Sequence, residues 1–105
     1  MISAPEYAFA AQLAALRIPF EREYRAAPPR RWRADFALVD ARILVEVEGG
    51  IWVQGRHGRG SGFTKDLEKY AEFVCRGWRV LRVSPEMVRS GAALRYVERL
   101  LEGER

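Results

Sequence analysis

Two short segments of alternating hydrophobicity, residues 33–39 and 42–48, face each other across Asp40-Ala41 and constrain the fold more than any other feature. Alternation of period two marks strands. A turn centred between residues 40 and 41 pairs Val39 with Arg42, Ala37 with Leu44, Asp35 with Glu46 and Arg33 with Glu48. Side chains alternate between the faces of a sheet, so Asp35, Glu46 and Glu48 share one face. Phe36, Leu38, Ile43, Val45 and Val47 share the other, which is the expected core side.

The pairing predicts Asp35 and Glu46 Cβ atoms roughly 4.5–5.5 Å apart, and like charges placed there destabilise a hairpin. Burial sharpens the cost. A divalent cation between them would reverse the sign of the interaction, and Mg²⁺ and Mn²⁺ favour one or two carboxylates supplemented by water and phosphate. Such an ion activates water and stabilises charge on a phosphodiester. The spacing is equally compatible with a solvated acidic patch at a sheet end.

Around the hairpin the order of elements is α-β-β-β-α-β-α. Ser3 caps a first helix with Glu6 three residues on, a capping box, and Tyr7, Phe9, Ala10, Leu13 and Leu16 follow at mostly helical spacing until Pro19. Residues 20–25 alternate as a strand, and Pro28-Pro29-Arg30-Arg31 is a stiff basic connection. Six glycines between residues 49 and 62 mark a loop. Phe63, Leu67, Tyr70, Ala71 and Val74 define the predicted inner face of a helix ending at Gly77. Residues 78–83 form a fourth strand, with Trp78, Val80, Leu81, Val83 and Cys75 expected in the core. Ser84-Pro85 opens a short helical stretch interrupted at Gly91, and Leu94, Val97 and Leu101 mark a last amphipathic helix. A helix between two strands serves as a crossover, so the fold is α/β: a mixed sheet flanked by helices.

The chain has 105 residues, one cysteine and one histidine, so one domain spanning 1–105 is expected, with no intramolecular disulfide and no zinc motif needing two histidines. No apolar run reaches the ~20 residues of a membrane span, and the first residues lack the order of a signal peptide. A soluble, intracellular protein without a membrane partner is the expectation. The net charge is +4, and residues 22–65 supply it with nine basic side chains against five acidic ones. Arg25, Arg30, Arg31 and Arg33 surround the Pro-Pro connection, while Arg56, His57, Arg59 and Lys65 surround the glycine loop. Arginine grips phosphate bidentately, and glycine lets backbone N–H groups approach it. Recognition through backbone and shape follows, because nothing resembles a base-reading helix or zinc finger. Trp32 and Trp52 are candidates for stacking on a base or for packing in the interior.

Asp35, followed after eleven residues by Glu46-Val47-Glu48, resembles the motif of PD-(D/E)XK nucleases, whose core is also α-β-β-β-α-β. The strings Arg30-Arg31-Trp32-Arg33-Ala34-Asp35, Glu46-Val47-Glu48-Gly49-Gly50-Ile51-Trp52, Gly55-Arg56-His57, Asp66-Leu67-Glu68-Lys69-Tyr70 and Gly77-Trp78-Arg79-Val80-Leu81-Arg82 are similar to small phage endonucleases of that superfamily, related in turn to archaeal-type Holliday junction resolvases. The resemblance spans about residues 6–83. It implies a PD-(D/E)XK nuclease-like core with an extra C-terminal helix, Mg²⁺ or Mn²⁺ as cofactor, and four-way or other branched DNA as substrate. It also implies a location in the cytoplasm, of a bacterial host if phage-encoded. Two symmetric nicks at a junction imply a homodimer with two-fold symmetry.

The resemblance further implies Asp35 and Glu46 as metal ligands, with the Val47 carbonyl as a third and Glu6 on the first helix as a helper. The family's lysine position is Glu48 here. That glutamate is left to join the metal shell or act as base, with Arg33 as a partner. The positive role would pass to Lys69 or Lys65, which a helical wheel nonetheless places off the apolar face as solvated lysines. The competing functions are a mismatch- or sequence-directed nicking endonuclease of the same fold and a non-catalytic nucleic-acid-binding protein.

Overall fold

Ser3 fixes where the chain first becomes helical. Its Oγ accepts a hydrogen bond from the Glu6 N–H at 3.3 Å, and Pro5 sits in the first turn, where its missing N–H costs nothing. The helix α1 (Ala4–Ala15) ends before Arg17, which adopts a positive φ of 59°. The computed structural model describes residues 3–49 and 61–103, with backbone alone for residues 61–65.

Strands β1 (Glu21–Tyr24), β2 (Ala34–Leu38) and β3 (Ile43–Val47) follow, then helix α2 (Ser61–Cys75), strand β4 (Arg79–Val83) and helices α3 (Pro85–Ser90) and α4 (Ala92–Leu101). The four strands lie in chain order in one sheet. β1–β2 and β2–β3 are antiparallel, and β3–β4 is parallel with α2 as the crossover. The hairpin pairs Phe36 with Val45, Ala37 with Leu44 and Leu38 with Ile43, as the spacing predicts. The strands are shorter than predicted by one residue at each end, except that β4 ends at Val83 as predicted.

Both faces of the sheet are covered. Phe36, Leu38, Ile43, Val45 and Val83 meet Phe9 and Leu13 of α1, Val88 of α3, and Ala93 and Val97 of α4. On the other face Ala37 and Leu44 meet Phe73 of α2 and Trp78. Small residues on this side let α2 sit close to the strands that carry the acidic residues.

The predicted inner face of α2 holds only at Tyr70, which packs against the core, and the Phe63 side chain lies outside the described residues. Leu67 is 55% exposed and Val74 59%, and Ala71 and Cys75 are exposed too, while Phe73 is fully buried with Tyr70 and Lys69 half-buried beside it. The apolar wheel ignores polar partners. Lys69 pairs with the Glu46 carboxylate on β3 and Tyr70 donates to Glu48 just beyond it, and these contacts together with Phe73 set the rotation of the helix. The last helix likewise buries Ala93 and Val97 and leaves Leu101 41% exposed, and Val80 and Leu81 are only partly covered. Among the described residues no helix is long and apolar enough to cross a membrane.

Candidate active site

Asp35 is the second residue of β2, Glu46 is near the end of β3, and Glu48 lies just beyond it. All three face the α2 side, but they do not form one cluster. Asp35 Oδ2 accepts a hydrogen bond from the Val47 N–H at 2.8 Å across the hairpin. Burial raises the Asp35 carboxyl above its ordinary value, and this hydrogen bond partly opposes the shift. Val47 therefore contributes its amide to Asp35, while its carbonyl, the expected third ligand, accepts from Gly49 N–H at 3.2 Å.

Glu46 is the buried carboxylate of the site, only 7% exposed. Burial pushes it from 4.5 up to about 7, with the Lys69 ammonium opposing and the Asp35 charge adding to the rise. Lys69 Nζ stands 3.2 Å from Glu46 Oε2, yet the alignment is too poor for a hydrogen bond, so this buried oxygen has none among the described residues. Lys69 is thus a half-buried partner of the acidic centre instead of the solvated lysine that the wheel implies.

Glu48 Oε2 accepts from Tyr70 Oη at 3.0 Å and from Arg82 Nε at 2.6 Å, with the Arg82 guanidinium 4.5 Å from the Tyr70 ring centre. Its partner is Arg82, not Arg33. The carboxylate is bound into a three-residue network on the flank of the site. Burial beside Glu46 and Glu48 raises the Tyr70 hydroxyl, which stays protonated.

The group whose oxygens converge contains one expected pair and one residue that the sequence did not reveal. Glu6, Glu23 and Asp35 each offer a carboxylate oxygen, all within 4.8 Å of one another. The N-terminus of α1 does abut the sheet end bearing Asp35, so Glu6 caps the helix through its backbone while its side chain reaches the cluster. Burial and the Asp35 charge raise the Glu6 carboxyl, and Arg22 counteracts them. Glu23 enters because the β1–β2 register, which pairs Arg22 with Phe36 and Tyr24 with Ala34, sets it across from Asp35, at a position where its φ is +50°. The only sequence signal for Glu23 was a carboxylate in a strand adjoining β2, and the β1–β2 register was unknown. The hard oxygen donors of this cluster, flanked by buried Glu46, suit Mg²⁺ or Mn²⁺.

The basic residues of the Pro-Pro connection border this end of the sheet. Arg25, Arg30, Arg31 and Arg33 are exposed, and Arg33 lies two residues ahead of Asp35. The Arg30 guanidinium stacks 4.0 Å from the Trp32 ring centre. Trp32 is partly buried, edge-on to Phe73 with ring centres 6.5 Å apart, which is a packing role. Trp52, Arg56, His57 and Arg59 lie outside the described residues, as does the Lys65 side chain.

Among solved structures, this geometry has a relative. The Homing Endonuclease I-Bth0305I Catalytic Domain superposes on this chain with a TM-score of 0.70 and 19% sequence identity, covering 94% of each chain. The fold is shared with a nuclease catalytic domain. No protein-family model matches the sequence, and no curated protein matches it. At 19% identity the likeness speaks for architecture: the four-stranded mixed sheet with flanking helices.

Proposed function

We propose that this chain is a divalent-metal-dependent DNA endonuclease, a single nuclease domain hydrolysing phosphodiester bonds. The observation that carries the proposal is the convergence of Glu6, Glu23 and Asp35 oxygens within 4.8 Å, at one sheet end of a fold shared with a nuclease catalytic domain.

Asp35 and Glu6 would hold the ion, with Glu46 and the Val47 carbonyl behind them and Glu23 at the rim. A bound Mg²⁺ or Mn²⁺ would supply Lewis-acid stabilisation of phosphate charge and an acidified water. Lys69, reaching in from α2, occupies the role that the sequence leaves open where Glu48 replaces a lysine. Its ammonium keeps Glu46 from neutralising completely and offers a positive charge for the water and the developing phosphate charge. Glu48, engaged by Tyr70 and Arg82, braces β3 against α2 and β4 and does not act as base. Arg30, Arg31 and Arg33, joined by Arg56, His57, Arg59 and Lys65, would track the DNA backbone.

Branched DNA is the substrate that the sequence resemblance favours, with a homodimer making paired nicks and a cytoplasmic location. The structural neighbour, being the catalytic domain of a homing endonuclease, favours the second reading, a nicking endonuclease directed by sequence or mismatch. Labelled four-way junction, flap, single-stranded, matched and mismatched duplex DNA, each with Mg²⁺ and with EDTA, separate the two. Preferential junction cutting supports the resolvase, and preferential duplex nicking the alternative. Asp35→Asn is expected to abolish cleavage while DNA binding persists. Equal cleavage by that variant refutes the site.

A further inference from the structure

Arg22, in the middle of β1, is the most heavily engaged side chain around the acidic cluster. Its Nη2 donates to Glu6 Oε1 at 2.6 Å, and its Nε donates to the backbone carbonyl of Asp35 at 3.1 Å. The guanidinium carbon lies 4.4 Å from the ring centre of Phe36, which is fully buried, and Nη2 is 3.9 Å from Glu23 Oε2. The arginine side chain is 21% exposed and Glu6 15%.

We propose that Arg22 is a positioning residue for cleavage, locking Glu6 of α1 onto the β2 residue that carries Asp35. The inference rests on the nuclease reading. Three carboxylates this close repel one another. A flat guanidinium can donate to a carboxylate and to a carbonyl on a different element at once. Stacking on Phe36 fixes its plane. Arg22 engages Glu6 Oε1 while Glu6 still offers a carboxylate oxygen within 4.8 Å of those of Glu23 and Asp35. Turned inward to these partners, Arg22 is not a phosphate contact. Lysine reproduces the charge without the two-armed reach.

The test compares the full chain with Arg22→Gln, Arg22→Lys, Glu6→Gln and the Arg22→Gln/Glu6→Gln double variant. Cleavage with Mn²⁺ is followed on the DNA that the wild type cuts best. Anisotropy measures binding of the same DNA in EDTA, and thermal unfolding gives the folded fraction. Loss of a residue that orients a ligand typically costs 10–100-fold, and a fall of about that size in kcat is expected for Arg22→Gln. KM and DNA binding in EDTA should stay within about threefold, since uniform binding is untouched. Arg22→Lys should recover part of kcat, and the double variant should be no slower than the slower single variant.

A raised KM at unchanged kcat would make Arg22 a DNA contact and overturn the proposal. So would additive losses, complete rescue by lysine, or rates that merely follow the folded fraction. If Arg22→Gln does not fold, the kcat of Arg22→Lys relative to wild type decides, full activity overturning the proposal. A wild-type chain that cuts no DNA removes the nuclease reading and this inference together, whereas a cutting wild type with an equally active Arg22→Gln removes the inference alone.

Discussion

Replacing Glu46 by glutamine is expected to stabilise the metal-free protein at neutral pH. Glu46 is 7% exposed, and burial lifts its carboxyl from 4.5 to about 7 despite Lys69 alongside. The folded protein therefore holds this proton more tightly than the unfolded chain does. Its contribution is complete below pH 4.5, is lost as pH rises toward 7, and is level above that. At 1.36 kcal/mol per pKa unit, the displacement amounts to about 3 kcal/mol. For a domain of this length that is a Tm change on the order of 10 °C. Unfolding in EDTA from pH 4 to 9, for wild type and Glu46→Gln, reads the effect as a difference, which removes the contributions common to both proteins. The two proteins should be equally stable near pH 4, and the variant should be more stable above pH 7. Lys69→Met should extend the wild-type decline to higher pH, because the carboxylate loses its counter-charge. A difference curve flat across pH 4.5–7, or one favouring wild type above pH 7, would refute the argument that this carboxylate is held against the cost of burial.

Lys69→Ala is expected to lower kcat by about a hundredfold with DNA affinity preserved, the scale of losing one electrostatic stabiliser at a reacting phosphate; steady-state kinetics would show it. Alanine at both Arg31 and Arg33 should weaken DNA binding and reduce the slope of log K against log salt by about two, measured by anisotropy from 50 to 300 mM salt. Phe73→Ala should cost about 3–5 kcal/mol in denaturant unfolding, whereas Leu67→Ala should stay within about 0.5 kcal/mol, the reverse of the order that the apolar wheel implies.

The β2–β3 hairpin was legible because its determinants are local. Alternation from Arg33 to Glu48 and a short turn dictate which residues oppose each other, and the observed pairs of Phe36 with Val45 and Leu38 with Ile43 follow. The Ser3 cap and the crossover helix were legible for the same reason. The acidic centre was only partly so. Spacing placed Asp35 and Glu46 together, but Asp35 turns to the Val47 amide and Glu46 to Lys69, because buried carboxylates take the nearest donor or cation in place of each other.

Three features depend on elements distant in sequence. Glu6 meets Asp35 because α1 packs across the sheet, with Arg22 bridging the gap. Glu23 joins them because β1 pairs with β2 in a register that sets it across from Asp35. Lys69 points inward because the rotation of α2 is set by Phe73 together with polar partners on β3, contacts that hydrophobic periodicity does not register. Sequence by itself determined the strands, the register of the β2–β3 hairpin and the residue types available for chemistry, since those follow from neighbours along the chain. Tertiary structure decided which charges share a site, since that depends on how separate elements pack and how each buried charge finds its partner.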